Sequence, residues 1–350
     1  MNWKKRAIAC FIAAVMITAS MSNAVAQNTN SNAQPTAEPA GQGVSLLDLA
    51  SYTAVDIEEF NGESSLLRST SQEQAAQKLK TAIETGNPSY SDRYVHPESG
   101  RVSYVIQVDL SSYRIKKEDA GVLFQSVIYQ HPELFYATDI LTKNETYLST
   151  VLVAFTTYGT TLANQKKTFE ANVQEALSSI DDSMTIEQKI LVLHDYITTT
   201  THYDHTVNKD VYPNSYSAYG VFGESRMATC NGYALAFNVL MDRIGVENVM
   251  IGSVEKNHAW SKVNIGGSWY NVDPTWDDTA DKNKSDHYGS VSHKSFLVSD
   301  ANLTASGHGT PASTSHPNGY EKVQETPWRS PDCFPADLPV QHHGPCCGNR

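Results

Sequence analysis

The chain is short of cysteine, of positive charge and of long apolar runs, and each shortage excludes something. Five cysteines in 350 residues are too few for a disulfide scaffold. With 26 Lys+Arg against 38 Asp+Glu, the net charge is −12, the wrong sign for holding nucleic acid by its phosphates. That acidic balance serves solubility instead. The one apolar run of note, Ala7 to Ala19, is shorter than the ~20 residues that span a bilayer. No internal repeat, sorting motif or lipobox is visible. What is present suffices for a packed core: 40% of residues are hydrophobic and 9% aromatic. The length suits about two domains.

Lys4, Lys5 and Arg6 precede the apolar run, and Ala24-Val25-Ala26 follows it as a small-x-small cleavage site. Residues 1–26 therefore have the pattern of a secretory signal peptide cut before Gln27. The expectation is an exported protein, secreted or at the cell surface, with no transmembrane segment after signal cleavage. Cys10 leaves with the signal. Cys333, Cys346 and Cys347 sit near the C-terminus, so Cys230 stands alone in the body of the protein. A solitary thiol in an exported protein invites a functional explanation.

Residues 27–45 are polar with Pro and Gly, the composition of a flexible linker. Residues 60–160 carry the pattern of a small α+β domain. It comprises a helix over 71–85, an alternating strand from Arg101 to Leu110, a helix over 116–130 stopping before Pro132, and β-rich segments at 134–138 and 146–157. On the strand, Val102, Tyr104, Ile106, Val108 and Leu110 share one face. A second unit, 163–308, opens with helical composition over 163–180. The capping box Thr185-Ile186-Glu187-Gln188 then introduces a helix with Ile186, Ile190, Leu193 and Ile197 in phase. After a mixed loop over 205–228, a helix runs from Cys230 to Ile244 with Gly245 at its C′ position. Strands follow at 249–254, 258–265 and 268–273. The tail, 309–350, holds seven of the chain's 14 prolines, together with His and Cys, and is expected to be poorly ordered.

The chemistry concentrates at Cys230, His258 and Asp273. Thr229 can N-cap the helix, which places the Cys230 thiol in its first turn, where the helix terminus favours a thiolate. Asn231-Gly232 would leave that flank open to a substrate carbonyl. Gly266-Gly267 is a two-residue hairpin signal. If these two residues form the turn, Ile265 pairs with Ser268, His258 lies opposite Thr275, and Asp273 lies opposite Trp260. His258 and Asp273 then become diagonal neighbours on one face, Cα atoms ~7–8 Å apart. Trp260, Lys262, Asn264, Trp269 and Asn271 share this face as a polar-aromatic site surface. Val263, Ile265, Tyr270 and Val272 form the core face. A three-residue turn would reverse the parity. A thiol, an imidazole and a carboxylate in this relation are the parts of a nucleophilic acyl-transfer centre. The alternatives are a buried structural cysteine, a core histidine and a turn aspartate before Pro274.

The segments Cys230-Asn-Gly-Tyr-Ala-Leu-Ala-Phe, Asn257-His258-Ala259-Trp260 and Trp269-Tyr270-Asn-Val-Asp273-Pro-Thr-Trp276-Asp277-Asp278 resemble the bacterial transglutaminase-like superfamily. The His194-Asp195-Tyr196 helix, Tyr203-Asp204 and Phe296-Leu297-Val298-Ser299-Asp300 fit the same pattern. The resemblance covers roughly 163–308. It implies an α+β fold with a papain-like core, a nucleophile helix packed on an antiparallel sheet. It also implies Cys230 as nucleophile, His258 as general base and acid, and Asp273 as orienting carboxylate. His131-Pro132-Glu133-Leu134-Phe135-Tyr136 resembles the companion region of secreted members.

Other groups are candidates of lower standing. The backbone N–H of Cys230 is one natural oxyanion donor, and Tyr203 or Tyr219 could supply a second. His194, His202, Asp204 and His205 cluster in sequence, but a metal needs converging ligands and no second matching cluster exists. Asp277, Asp278, Asp281 and Asp286 lack EF-hand spacing and read as a solvated acidic loop. Cys346-Cys347 with His342-His343 lies in a tail that departs from the family pattern. Trp260, Trp269 and Trp276 could line a cleft or pack around the site. No cofactor or metal is expected. The expected function is a secreted cysteine-dependent acyl-transfer enzyme acting on peptide or glutamine amides through a thioester, with hydrolysis favoured. Its partner would be a protein or peptide substrate, a cell-wall or surface protein included, and not nucleic acid. A cross-linking transglutaminase and a non-catalytic surface-binding module are the alternatives.

Overall fold

Strand and helix periodicities lead to two five-stranded antiparallel sheets packed with helices. The computed structural model describes residues 49, 51–55, 69–206, 213–253, 256–280, 286–308 and 313–314. The expected signal peptide, the linker and nearly all of the 309–350 tail lie outside the described residues. All described residues fall in one compact unit.

The first sheet runs in the order β1 (Tyr52–Ala54), β4 (Ala137–Lys143), β5 (Thr150–Phe155), β3 (Val102–Asp109), β2 (Arg93–Val95). Helix α1 (Thr70–Thr85) starts where the Ser69 hydroxyl accepts from the Gln72 N–H, and buries Ala75, Leu79 and Ile83. Helix α2 (Ala120–Gln130) ends before Pro132, as that residue dictates. Ile106, Val108 and Leu110 pack with these helices in the main core. The opposite face of β3 is covered as well: Val105 joins Leu49, Tyr52, Tyr94, Leu141, Leu152 and Ala154 in a separate cluster.

Helix α3 (Gly159–Leu177) is followed by α4 (Ile186–Thr200). The Thr185 capping box is complete, with Thr185 N–H donating to Gln188 Oε1 at 2.8 Å and Gln188 N–H to Thr185 Oγ1 at 3.3 Å. The segment expected as mixed loop holds short pieces: the turn Pro213–Tyr216, α5 (Tyr219–Phe222), and β7 (Met227–Ala228), which pairs in parallel with β6 (His202–Tyr203). Helix α6 (Cys230–Arg243) is buried at every residue from Gly232 to Met241, as expected for a helix apolar all round. Gly245, at φ 72°, ends it.

Helix α6 packs on the second sheet, ordered β13 (Phe296–Val298), β10 (Ser268–Val272), β9 (His258–Ile265), β8 (Asn248–Ser253), β14 (Ser313–Thr314). Ser313 and Thr314, within the tail, pair with Gly252 and Ile251. One hydrophobic cluster runs from Ala75 to Leu297, and Phe135 stacks on both Phe169 and Tyr219. Phe135 thereby packs against α3 and α5.

Candidate active site

The β9–β10 turn has the predicted length. Gly266 and Gly267 take φ 61° and 85°, the left-handed values of a two-residue hairpin. Ser268 pairs with Ile265, and Val272 with Ser261. Continued by one residue, that register brings His258 and Asp273 together: His258 Nε2 lies 2.6 Å from Asp273 Oδ2. The Cys230 thiol lies near enough to the His258 ring to favour its charged form. With Nε2 on the carboxylate, Nδ1 is left for the sulfur side. The three residues singled out from sequence therefore meet at the N-terminus of α6. Cys230 is half-buried there and is the free cysteine among the described residues.

Burial opposes charge on His258, but Asp273 and the contact with Cys230 outweigh it, raising the imidazole to about 10. Burial likewise opposes charge on Asp273. His258 and His308 reverse that and hold the carboxyl well below the usual carboxylate range. Asp273 is fully buried and uses both oxygens. Oδ1 accepts the N–H groups of Thr275 and Trp276 at 2.9 and 3.2 Å, so Asp273 caps the short helix α7 (Pro274–Asp277). Oδ2 is shared between His258 and His308, the latter at 2.8 Å.

His308 is a site residue that sequence reasoning missed. Its ring is fully buried, with Nδ1 2.9 Å from Ser306 Oγ and its face 3.6 Å from the Trp276 ring centroid. It lies 35 residues from Asp273, in a segment without periodicity, and no local pattern marks it. Trp276 is the aromatic at the rim, 44% exposed and 5.6 Å from the His258 ring.

Several expectations are corrected. Thr229 occupies the N-cap position, but its hydroxyl donates to Ser215 O at 3.3 Å and leaves the helix terminus without a side-chain cap. Gly232 does not open the flank of Cys230. A Cβ there would sit 2.4 Å from Ser215 O and 2.9 Å from Ala228 Cβ, so the glycine exists for close packing. The polar-aromatic face of β9–β10 is not an open surface. Trp260, Lys262 and Asn271 are fully buried, and Trp260 packs with Val249, Ile251, Val298 and Leu303. Trp260 Nε1–H donates to Asn271 Oδ1, and Asn271 Nδ2–H donates to Asp300 Oδ1, which pairs with Lys262. The polar groups that suggested solvent are thus satisfied internally. Asp277 is no solvated loop residue: it is fully buried and accepts the Ser295 N–H at 3.0 Å.

Of the two tyrosines considered for the oxyanion, Tyr203 is at the site and Tyr219 is in the core against Phe135. Tyr203 lies beside Cys230, and burial together with the nearby thiol pushes its phenol upward. The sequence cluster His194, His202, Asp204 and His205 does not converge. His202 and His205 are exposed, Asp204 accepts from Thr206, and His194 turns inward to Asp195.

This arrangement accords with comparison to known proteins. Residues 173–274 match the profile of the transglutaminase-like superfamily. No curated protein sequence matches the chain. Among solved structures, one described as "a TGase" is 14% identical, covering 56% of this chain and 56% of that chain at a TM-score of 0.30. Another, described as "a Putative Cysteine Protease from Cytophaga hutchinsonii", is 16% identical, covering 39% of this chain and 55% of that chain at a TM-score of 0.25. The alignments span about half the length of these two structures. The matched stretch, residues 173–274, contains Cys230, His258 and Asp273, and over it the chain is similar to the transglutaminase-like superfamily.

Proposed function

We propose that the protein is a secreted acyl-transfer enzyme that hydrolyses peptide or glutamine-side-chain amides through a thioester on Cys230. The observation that carries this reading is the His258 ring held 2.6 Å from Asp273, beside the Cys230 thiol at the start of α6. In the first half-reaction the Cys230 sulfur attacks the amide carbon, the C–N bond breaks, and the His258 imidazolium gives its proton to the departing amine. In the second, neutral His258 takes a proton from water, hydroxide adds to the thioester, and the carboxylic acid leaves as the thiolate–imidazolium pair reforms. Asp273 orients the ring and stabilises its charged form throughout. The N–H groups at the start of α6 supply positive potential where the oxyanion grows. The amine-accepting alternative would replace water with a lysine side chain and cross-link proteins.

The test incubates the full chain and its Cys230→Ala variant with casein and a fluorescent primary amine, followed by intact-mass and fragment analysis. Fragments or deamidation that vanish in Cys230→Ala are the expected result. Amine incorporation without cleavage would make the protein a cross-linking enzyme. Turnover undiminished in Cys230→Ala would remove the thiol from the chemistry.

A further inference from the structure

A second cluster of titratable groups lies outside the Cys230 centre, where the fold supplies what the sequence lacked. His194 and Asp195, on α4, are joined by His293, which follows β12 (Asp286–Val291) and is 98 residues from Asp195. His194 Nδ1 is 2.9 Å from Asp195 Oδ1, and His293 Nε2 is 2.7 Å from that same oxygen. Two imidazole nitrogens and one carboxylate thus aim at a single point. The other Asp195 oxygen, Oδ2, is buried with no hydrogen-bond partner among the described residues. The far side of His194, Nε2, faces Asp277 Oδ2 at 3.4 Å. All these side chains are at most 5% exposed.

We propose that His194, Asp195 and His293 form a binding site for a first-row divalent cation such as zinc. Three donors within 4.8 Å of one another are spaced to close on one ion. Two imidazoles and a carboxylate suit zinc and its neighbours better than magnesium or calcium, which prefer all-oxygen shells. The unpartnered Asp195 Oδ2 gives the carboxylate a free oxygen to turn toward the ion. Asp277 stands behind His194 as the outer carboxylate that fixes a metal-bound imidazole. The role is structural. The ion ties α4 to the segment before β13, and through Asp277 it braces α7, the turn that Asp273 caps.

The test is a Co2+ titration of the metal-stripped full chain carrying His316→Ala, His342→Ala and His343→Ala, which removes the imidazoles of the tail. One equivalent is expected to bind with d–d absorption and no thiolate-to-cobalt charge transfer. His293→Ala should abolish binding, Asp277→Asn should weaken it roughly 10–100-fold, and His308→Ala should leave it intact. No binding, binding unchanged in His293→Ala, binding lost in His308→Ala, or a thiolate band each overturns the proposal. If His293→Ala does not fold, X-ray absorption on the zinc-loaded parent decides. Two imidazoles without sulfur support the site, and a sulfur ligand or no bound zinc overturns it. These readouts do not depend on turnover, so they stand apart from the outcome of the casein assay.

Discussion

His308 hydrogen-bonds to the same oxygen of Asp273 that holds His258, at 2.8 Å and from full burial. One carboxylate oxygen therefore serves two imidazoles, and Trp276 lies over the second. His308→Ala removes a hydrogen bond to a buried charge and leaves a void beneath Trp276. The expected loss is about 2–3 kcal/mol of stability by urea denaturation. Because His258 keeps its carboxylate, kcat should fall less in His308→Ala than in Asp273→Asn. An equal fall in both would mean that His308 orients Asp273 decisively.

The pH dependence follows from the same carboxylate. His258 keeps its proton up to about pH 10 in the fold, against an ordinary value of 6.5. Its pairing with Asp273 is therefore fully stabilising below pH 6.5 down to the acid range where Asp273 protonates, and it is lost as pH rises through about 10. The alkaline limb of kcat/KM should sit correspondingly high. In Asp273→Asn the largest raising charge is gone and only the nearby Cys230 opposes burial, so that limb should move to lower pH. A limb unmoved by the substitution would detach His258 from the rate.

Gly232 carries a steric prediction. A methyl at this position meets the Ser215 carbonyl at 2.4 Å and the Ser217 carbonyl at 2.9 Å, and neither is the end of a flexible side chain. Gly232→Ala should cost about 1–3 kcal/mol and displace the first turn of α6. Thermal unfolding reads the first effect. Slowed alkylation of Cys230 relative to the parent reads the second.

Lys262 is fully buried against Asp300, burial lowering the amine while the carboxylate holds it up. Lys262→Met leaves the aspartate with Asn271 alone and should cost roughly 3 kcal/mol. Asp300→Asn in the same chain should restore part of that loss. Strict additivity in the double-mutant cycle would show that the pair contributes nothing as a pair.

How much of this could be read beforehand differs by element. The meeting of His258 with Asp273 was legible because a Gly-Gly turn sets the parity of a hairpin, and parity fixes which side chains are neighbours. The capping box at Thr185 and the stop at Gly245 were legible for the same local reason. His293 and His308 were not, since each arrives alone from a short segment far along the chain. The burial of Lys262 and Asn271 was hidden because alternation reports polarity and not where the partner lies. Asp300, which satisfies both, is contributed by a different segment.

The second layer over the β9–β10 hairpin has a practical consequence. The superfamily match ends at residue 274, yet the cover of Trp260 is Val298 and Leu303, and the second imidazole on Asp273 is His308. A chain cut at the edge of the match would keep Cys230, His258 and Asp273 while exposing an indole, an ammonium and an amide built to be dry. Such a fragment should be insoluble with all three residues intact. The smallest unit that can be moved between proteins therefore reaches at least to His308.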